Sequence, residues 1–147
     1  MQLFNKNYIG FVEEEYSWKN AIYKACEKLV VDKIITTKYI DKIIENTYEY
    51  GPYYVLTEDL ALPHASLFSE VLKPATSFYI FKNKVDFIYE KKSKKVKYLV
   101  VLAANDQDSH LNILKEIINF WNDKNFLNEL DSIKSAEQLQ KFIEKLN

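Results

Sequence analysis

The chain has 147 residues, 48% hydrophobic and 28% charged, with only 2 Gly and 3 Pro; this is the length and balance of one ordinary folded domain and excludes a disordered or low-complexity chain. A formal net charge of -1 leaves no global field to hold a polyanion, so nucleic acid is not an expected partner. All 20 cationic side chains are Lys and none is Arg, so a phosphate site here must use Lys, backbone N–H groups or a helix N-terminus in place of a bidentate guanidinium fork.

From Tyr8 to Val12 the sequence is β-branched and aromatic and predicts a strand, ended by Glu13-Glu14-Glu15. Ser17 is a candidate N-cap. Trp18, Ile22, Ala25, Cys26, Leu29 and Val30 then recur at three- and four-residue steps, the buried stripe of a helix reaching about Val31. Cys26, the single cysteine, cannot form an internal disulfide and reads as a small buried hydrophobe on that stripe. The first six residues lack the basic and apolar regions of a signal peptide, so a reducing cytoplasm is the expected compartment.

A second helix is expected over residues 38–50, capped by Thr36 or Thr37 and stopped by Gly51 and Pro52. Tyr53 to Leu56 and Leu60 to Leu62 predict two short strands; Pro63 closes the second, so His64 falls just past a strand end. After a loop or one helical turn, Thr76 to Phe81 predicts a strand and Val85 to Phe87 a shorter companion. Lys91, Lys92, Lys94, Lys95 and Lys97 are expected to form a basic loop. Val96 to Ala104 is nearly continuous apolar sequence, as in a central strand covered on both faces. It is far shorter than the ~20 residues a bilayer span needs, and no membrane insertion is expected.

Asn105 to Ser109 is rich in capping residues, which places His110 near the first position of a helix carrying Leu111, Leu114, Ile117, Ile118 and Trp121. A short helical piece over residues 125–130 and a last helix opened by Ser135-Ala136-Glu137-Gln138 complete the chain. Helices and strands alternate throughout. The expected fold is a single α/β domain over residues 1–147, a three-layer α/β/α sandwich on a mixed sheet of about five strands, because some connections are too short for a parallel crossover.

The chain has only two histidines, and both follow strand ends, where open α/β sheets place their ligands. A helix beginning near Ser109 offers positive charge to a phosphate, and a neutral imidazole is a competent nitrogen nucleophile, so phosphoryl relay through histidine is chemically reasonable. Two histidines with Glu58 or Asp108 would reach a zinc ligand count but lack the tight spacings of metal sites, and two glycines cannot build a dinucleotide or Walker loop. No metal and no cofactor are expected.

The segment Glu49-Tyr50-Gly51-Pro52-Tyr53-Tyr54-Val55-Leu56, followed by Leu60-Ala61-Leu62-Pro63-His64-Ala65, resembles the active-site region of the enzyme IIA (EIIA) proteins of the bacterial phosphoenolpyruvate:sugar phosphotransferase system. The likeness is to the mannitol/fructose class and, in its Gly-Pro-Tyr lead-in, most to the ascorbate-type branch. Leu102-Ala103-Ala104-Asn105-Asp106 with Ser109-His110-Leu111 extends it, and the two histidine elements keep the family's order. The resemblance implies that His64 accepts a phosphoryl group from the phosphocarrier HPr and passes it to an EIIB partner. That partner serves the membrane component EIIC, and His110 supports the phosphorylated state. It implies Glu58 as an orienting carboxylate. Family members usually carry Gly where Asp59 stands and Arg-Pro where Ser66-Leu67 stand; with that Arg missing, Lys73 and Ser109 are the candidate phosphate contacts. A regulatory phosphoprotein of the same fold, signalling through binding and feeding no transporter, is the alternative that the same residues allow.

Overall fold

The computed structural model describes residues 3–146. Five strands, β1 (Ile9–Val12), β2 (Val55–Thr57), β3 (Asp59–Ala61), β4 (Ala75–Tyr89) and β5 (Lys92–Ala103), form one sheet in the order β1-β4-β5-β3-β2. The sheet is mixed: β1 runs parallel to β4 and β3 to β5, while β4 with β5 and β2 with β3 are antiparallel. The helices are α1 (Trp18–Val31), α2 (Thr37–Tyr50), α3 (Gln107–Trp121), α4 (Lys124–Asp131) and α5 (Ala136–Leu146).

Strand alternation divides the apolar side chains between two cores. Along β5, Leu99, Val101 and Ala103 join Ile22, Leu29 and Ile43 of α1 and α2. Tyr98, Val100 and Leu102 face the other way, onto Ile113 and Ile117 of α3, Phe126 of α4 and Phe142 of α5. Burial on both faces is why this strand reads as unbroken apolar sequence, and the expected three-layer arrangement on a five-stranded mixed sheet is what the chain forms.

Two expectations fail around the hairpin. The pieces Thr76–Phe81 and Val85–Phe87 are halves of one strand, β4, whose register with β5 slips between Ile80 and Val85, where Lys82, Asn83 and Lys84 are exposed. Such an irregularity interrupts the alternation that marks a strand in sequence. The lysine-rich stretch is not a loop: Lys92, Lys94, Lys95 and Lys97 lie within β5, the first three paired to β4 residues. Tyr89 pairs with Lys92, leaving only Glu90 and Lys91 to turn the chain, both at positive φ (49° and 66°). Positive φ at both central positions is the geometry of a primed hairpin turn, normally signalled by Asn-Gly or Asp-Gly. Without that signal, a charged run between apolar segments reads as a loop.

Candidate active site at the carboxyl edge of the sheet

Parallel pairing of β3 with β5 brings the exits of both strands to one edge of the sheet, and the two histidines follow those exits. The residues after β3 are tied down by backbone bonds. Leu62 donates its N–H to the Tyr54 carbonyl (2.9 Å), and Leu102 donates to the carbonyl of Pro63 (3.0 Å). A buried side chain completes the hold. The Tyr39 hydroxyl, reaching from α2, donates to the carbonyl of Leu102 (2.8 Å) and accepts from the backbone N–H of Ala65 (3.2 Å). On the other side, the Tyr53 hydroxyl donates to the backbone carbonyl of His64, and its ring stands edge-on to the imidazole with centroids 5.5 Å apart.

His64 is itself half-buried, with Nδ1 at 2.6 Å from the carbonyl oxygen of Leu62. A carbonyl can only accept, so Nδ1 carries the proton and donates, and the lone pair of the neutral ring is left on Nε2. The His110 ring lies against it, centroids 5.1 Å apart at 52°. Burial pushes the His64 imidazole below its ordinary pKa; the Leu62 carbonyl opposes this, and charge on His110 adds to it. Burial lowers His110 as well. Both shifts favour the neutral ring, and in His64 the unprotonated nitrogen is Nε2.

His110 enters from a different position than expected. The N-cap of α3 is Asp106, whose carboxylate accepts from the Ser109 N–H (2.7 Å), so His110 is the fourth helical residue and not the first. Of the remaining candidates, Glu58 and Lys73 stand apart from the imidazoles. Glu58 is exposed at the entry of β3, the opposite end of that strand from His64, where it adds to the negative field around Lys84. Lys73 shares the carboxyl edge but lies toward β1, lining a separate cavity with Asn5, Tyr8, Ile34 and Thr76. Ser109 is engaged with the Asp106 carboxylate through its N–H and its side chain alike. Tyr39 and Tyr53, by contrast, were not singled out from the sequence. Tyr39 shares the buried face of α2 with Ile43 and Thr47, and a tyrosine at a core position must find a partner for its hydroxyl; that was the available signal.

A half-buried imidazole with one nitrogen fixed as donor and the other free is suited to nucleophilic group transfer. Among the described residues no group of three or more His, Cys, Asp or Glu side chains could hold a metal ion.

The family of phosphoenolpyruvate-dependent sugar phosphotransferase system EIIA 2 components matches residues 2–146. The ascorbate-specific EIIA component of Salmonella choleraesuis (strain SC-B67) is 25% identical over 146 residues, covering 99% of this chain and 94% of its own. The solution structure of the mannitol-specific cryptic enzyme IIA CmtB of Escherichia coli superposes with a TM-score of 0.81 at 25% identity, over 98% of this chain and 96% of that one. The mannitol enzyme IIA of Escherichia coli, solved in complex with phosphorylated enzyme IIB, shares the fold at a TM-score of 0.76 and 21% identity, over 97% of this chain and 99% of that one. The match along almost the whole chain, on a sheet whose edge holds two imidazoles together, leads to one assignment: this chain belongs to the EIIA 2 family of the phosphoenolpyruvate-dependent sugar phosphotransferase system, a family of phosphotransferases acting in a phosphoryl relay.

Proposed function

We propose that His64 is the phosphoryl carrier of this chain, and that Nε2 takes the group from phosphorylated HPr and yields it to an EIIB partner. The observation that carries the reading is the Nδ1 contact with the Leu62 carbonyl, which leaves the free lone pair on Nε2 of a ring packed against His110. In the forward step the Nε2 pair attacks phosphorus, the new N–P bond forms as the donor's N–P bond breaks, and the donor imidazole keeps the electron pair. The Nδ1 proton stays on the Leu62 carbonyl contact, so no proton needs to leave His64. Transfer to EIIB is the same displacement with His64 as leaving group. Because such transition states are loose, positioning and electrostatics supply the catalysis: Tyr39 and Tyr53 hold the backbone around His64, the Leu62 carbonyl holds the ring, and the role read for His110, packed against it, is to donate to a phosphoryl oxygen.

The Gly51-Pro52-Tyr53 lead-in and the similarity to an ascorbate-specific component support uptake of ascorbate or a related sugar acid through a membrane EIIC. A cytoplasmic location is the corresponding reading; no helix among the described residues is long and apolar enough to cross a membrane. The test is phosphorylation from labelled phosphoenolpyruvate with enzyme I and HPr. His64→Ala is expected to take no label, and His110→Ala to take label yet pass it to EIIB slowly. Label on His64→Ala at the wild-type level overturns the assignment.

A further inference from the structure

We propose that the cavity between the start of the β2 segment and the β4–β5 hairpin is a binding site for a small planar anion, a carboxylate or phosphate carried on a flat ring. The cavity measures about 160 Å³ and its walls are aromatic: Tyr50, Tyr53, Phe87 and Tyr89, with Pro52 beneath. Phe87 is buried and the Tyr53 and Tyr89 walls are fixed before any ligand arrives, while Tyr50 is 65% exposed. Gly51, at φ +81°, lets the chain turn under Tyr89, and a Cβ there would meet that ring at 2.6 Å. The Tyr89 hydroxyl donates to the Glu49 carbonyl (3.0 Å), and the Tyr53 hydroxyl to that of His64.

Two ammonium groups complete the rim. Lys92 and Lys94 stand opposite Tyr89 and Phe87 in the β4–β5 register, on the same face of the sheet. Both are exposed, and neither makes an ion pair among the described residues. Of the six Lys in residues 84–97, Lys84 and Lys97 pair with Asp59 and Asp131, which leaves four against Asp86 and Glu90, and Asp86 is already bonded by the Ser93 hydroxyl. Flat apolar walls recognise a ring face, and two unpaired lysines recognise an anion as point charges. A volume near five waters admits one six-membered ring with its charged group at the mouth. Tyr53 is shared with the His64 surroundings, so an occupant is felt at that imidazole. The proposal itself does not depend on what His64 does.

The test titrates the full chain with phenyl phosphate, with phenol and inorganic phosphate as the two half-ligands, followed by NMR. The expected result is saturable binding of phenyl phosphate at least about tenfold tighter than either half, weakening with salt, since each half lacks one of the two recognising surfaces. Tyr50, Tyr89, Lys92 and Lys94 signals should move together, with a smaller shift at His64. The exposed double substitution Lys92→Gln/Lys94→Gln should cost about tenfold in affinity at unchanged Tm. Tyr50→Ala, which leaves both charges, should weaken phenyl phosphate but not inorganic phosphate. Equal affinity in the double variant, no saturation, or shifts confined to His64 and His110 would each overturn the proposal.

Discussion

His64 carries its own pH signature. Its ionisation is pushed down by burial, and that of His110 likewise. The neutral, nucleophilic ring therefore persists below the ordinary imidazole pKa of about 6.5. Phosphorylation from HPr is expected to be flat through neutral pH and to decline only on the acid side of that value, as read from initial rates across a pH series. Stability follows the same sign. The unfolded imidazoles protonate first as pH falls, so the folded state loses stability between the ordinary pKa and the lowered one, and keeps it fully above. His64→Asn should flatten that part of a Tm-against-pH curve. Tyr39 acts at one remove. Tyr39→Phe preserves the buried ring but leaves the Leu102 carbonyl and the Ala65 N–H short of a partner. A loss of about 1–3 kcal/mol is expected in urea unfolding, with slower acceptance of label at His64. That the two histidines meet was legible because placement at strand exits is a property of element order. Where Lys73, Ser109 and Glu58 come to lie was not, because their surroundings depend on which strands neighbour which and on who caps α3.

At the scale of elements, the chain announces its helices and its central strand plainly. The α1 stripe with its Ser17 cap and the α2 stop at Gly51 reproduce their expected bounds to within a residue, since period and caps are local. Ser135 also caps α5 as expected, its hydroxyl accepting from Gln138 N–H at 3.1 Å. The hairpin was hidden because its two turn residues are the wrong chemistry for their conformation: Glu90 and Lys91 hold positive φ that glycine or asparagine would adopt at lower cost. That misfit is testable. The double substitution Glu90→Asn/Lys91→Gly installs the preferred primed-turn pair and is expected to raise stability by about 0.5–1 kcal/mol in urea melts. A loss of stability would mean that the Glu90 and Lys91 side chains hold the hairpin by contacts outweighing their backbone strain.

For the molecule as a whole, the sheet is one wall shared by two cores, and the chain places one tryptophan against each. Trp18 packs on the core under α1 and α2, beside Tyr48 and Phe87. Trp121 packs on the core under α3 to α5, beside Phe78, Tyr98 and Phe126. Because successive residues of β4 and β5 feed opposite cores, neither layer can lose its packing without exposing the back of the strands that hold the other. One cooperative transition over the whole chain is therefore expected, as for a single domain. Trp18→Phe and Trp121→Phe leave one reporter in each layer, and their fluorescence midpoints in urea, each corrected for the variant's own stability by circular dichroism, should coincide with the loss of helix. Cys26 offers a third reporter. It is fully buried and its thiol is pushed up to about 12, so a thiol reagent should reach it only through global opening. Its labelling should rise with the same transition in both variants; labelling of Cys26 while the Trp121 signal remains native would show that the α1 and α2 layer opens alone and that the two cores are separate folding units.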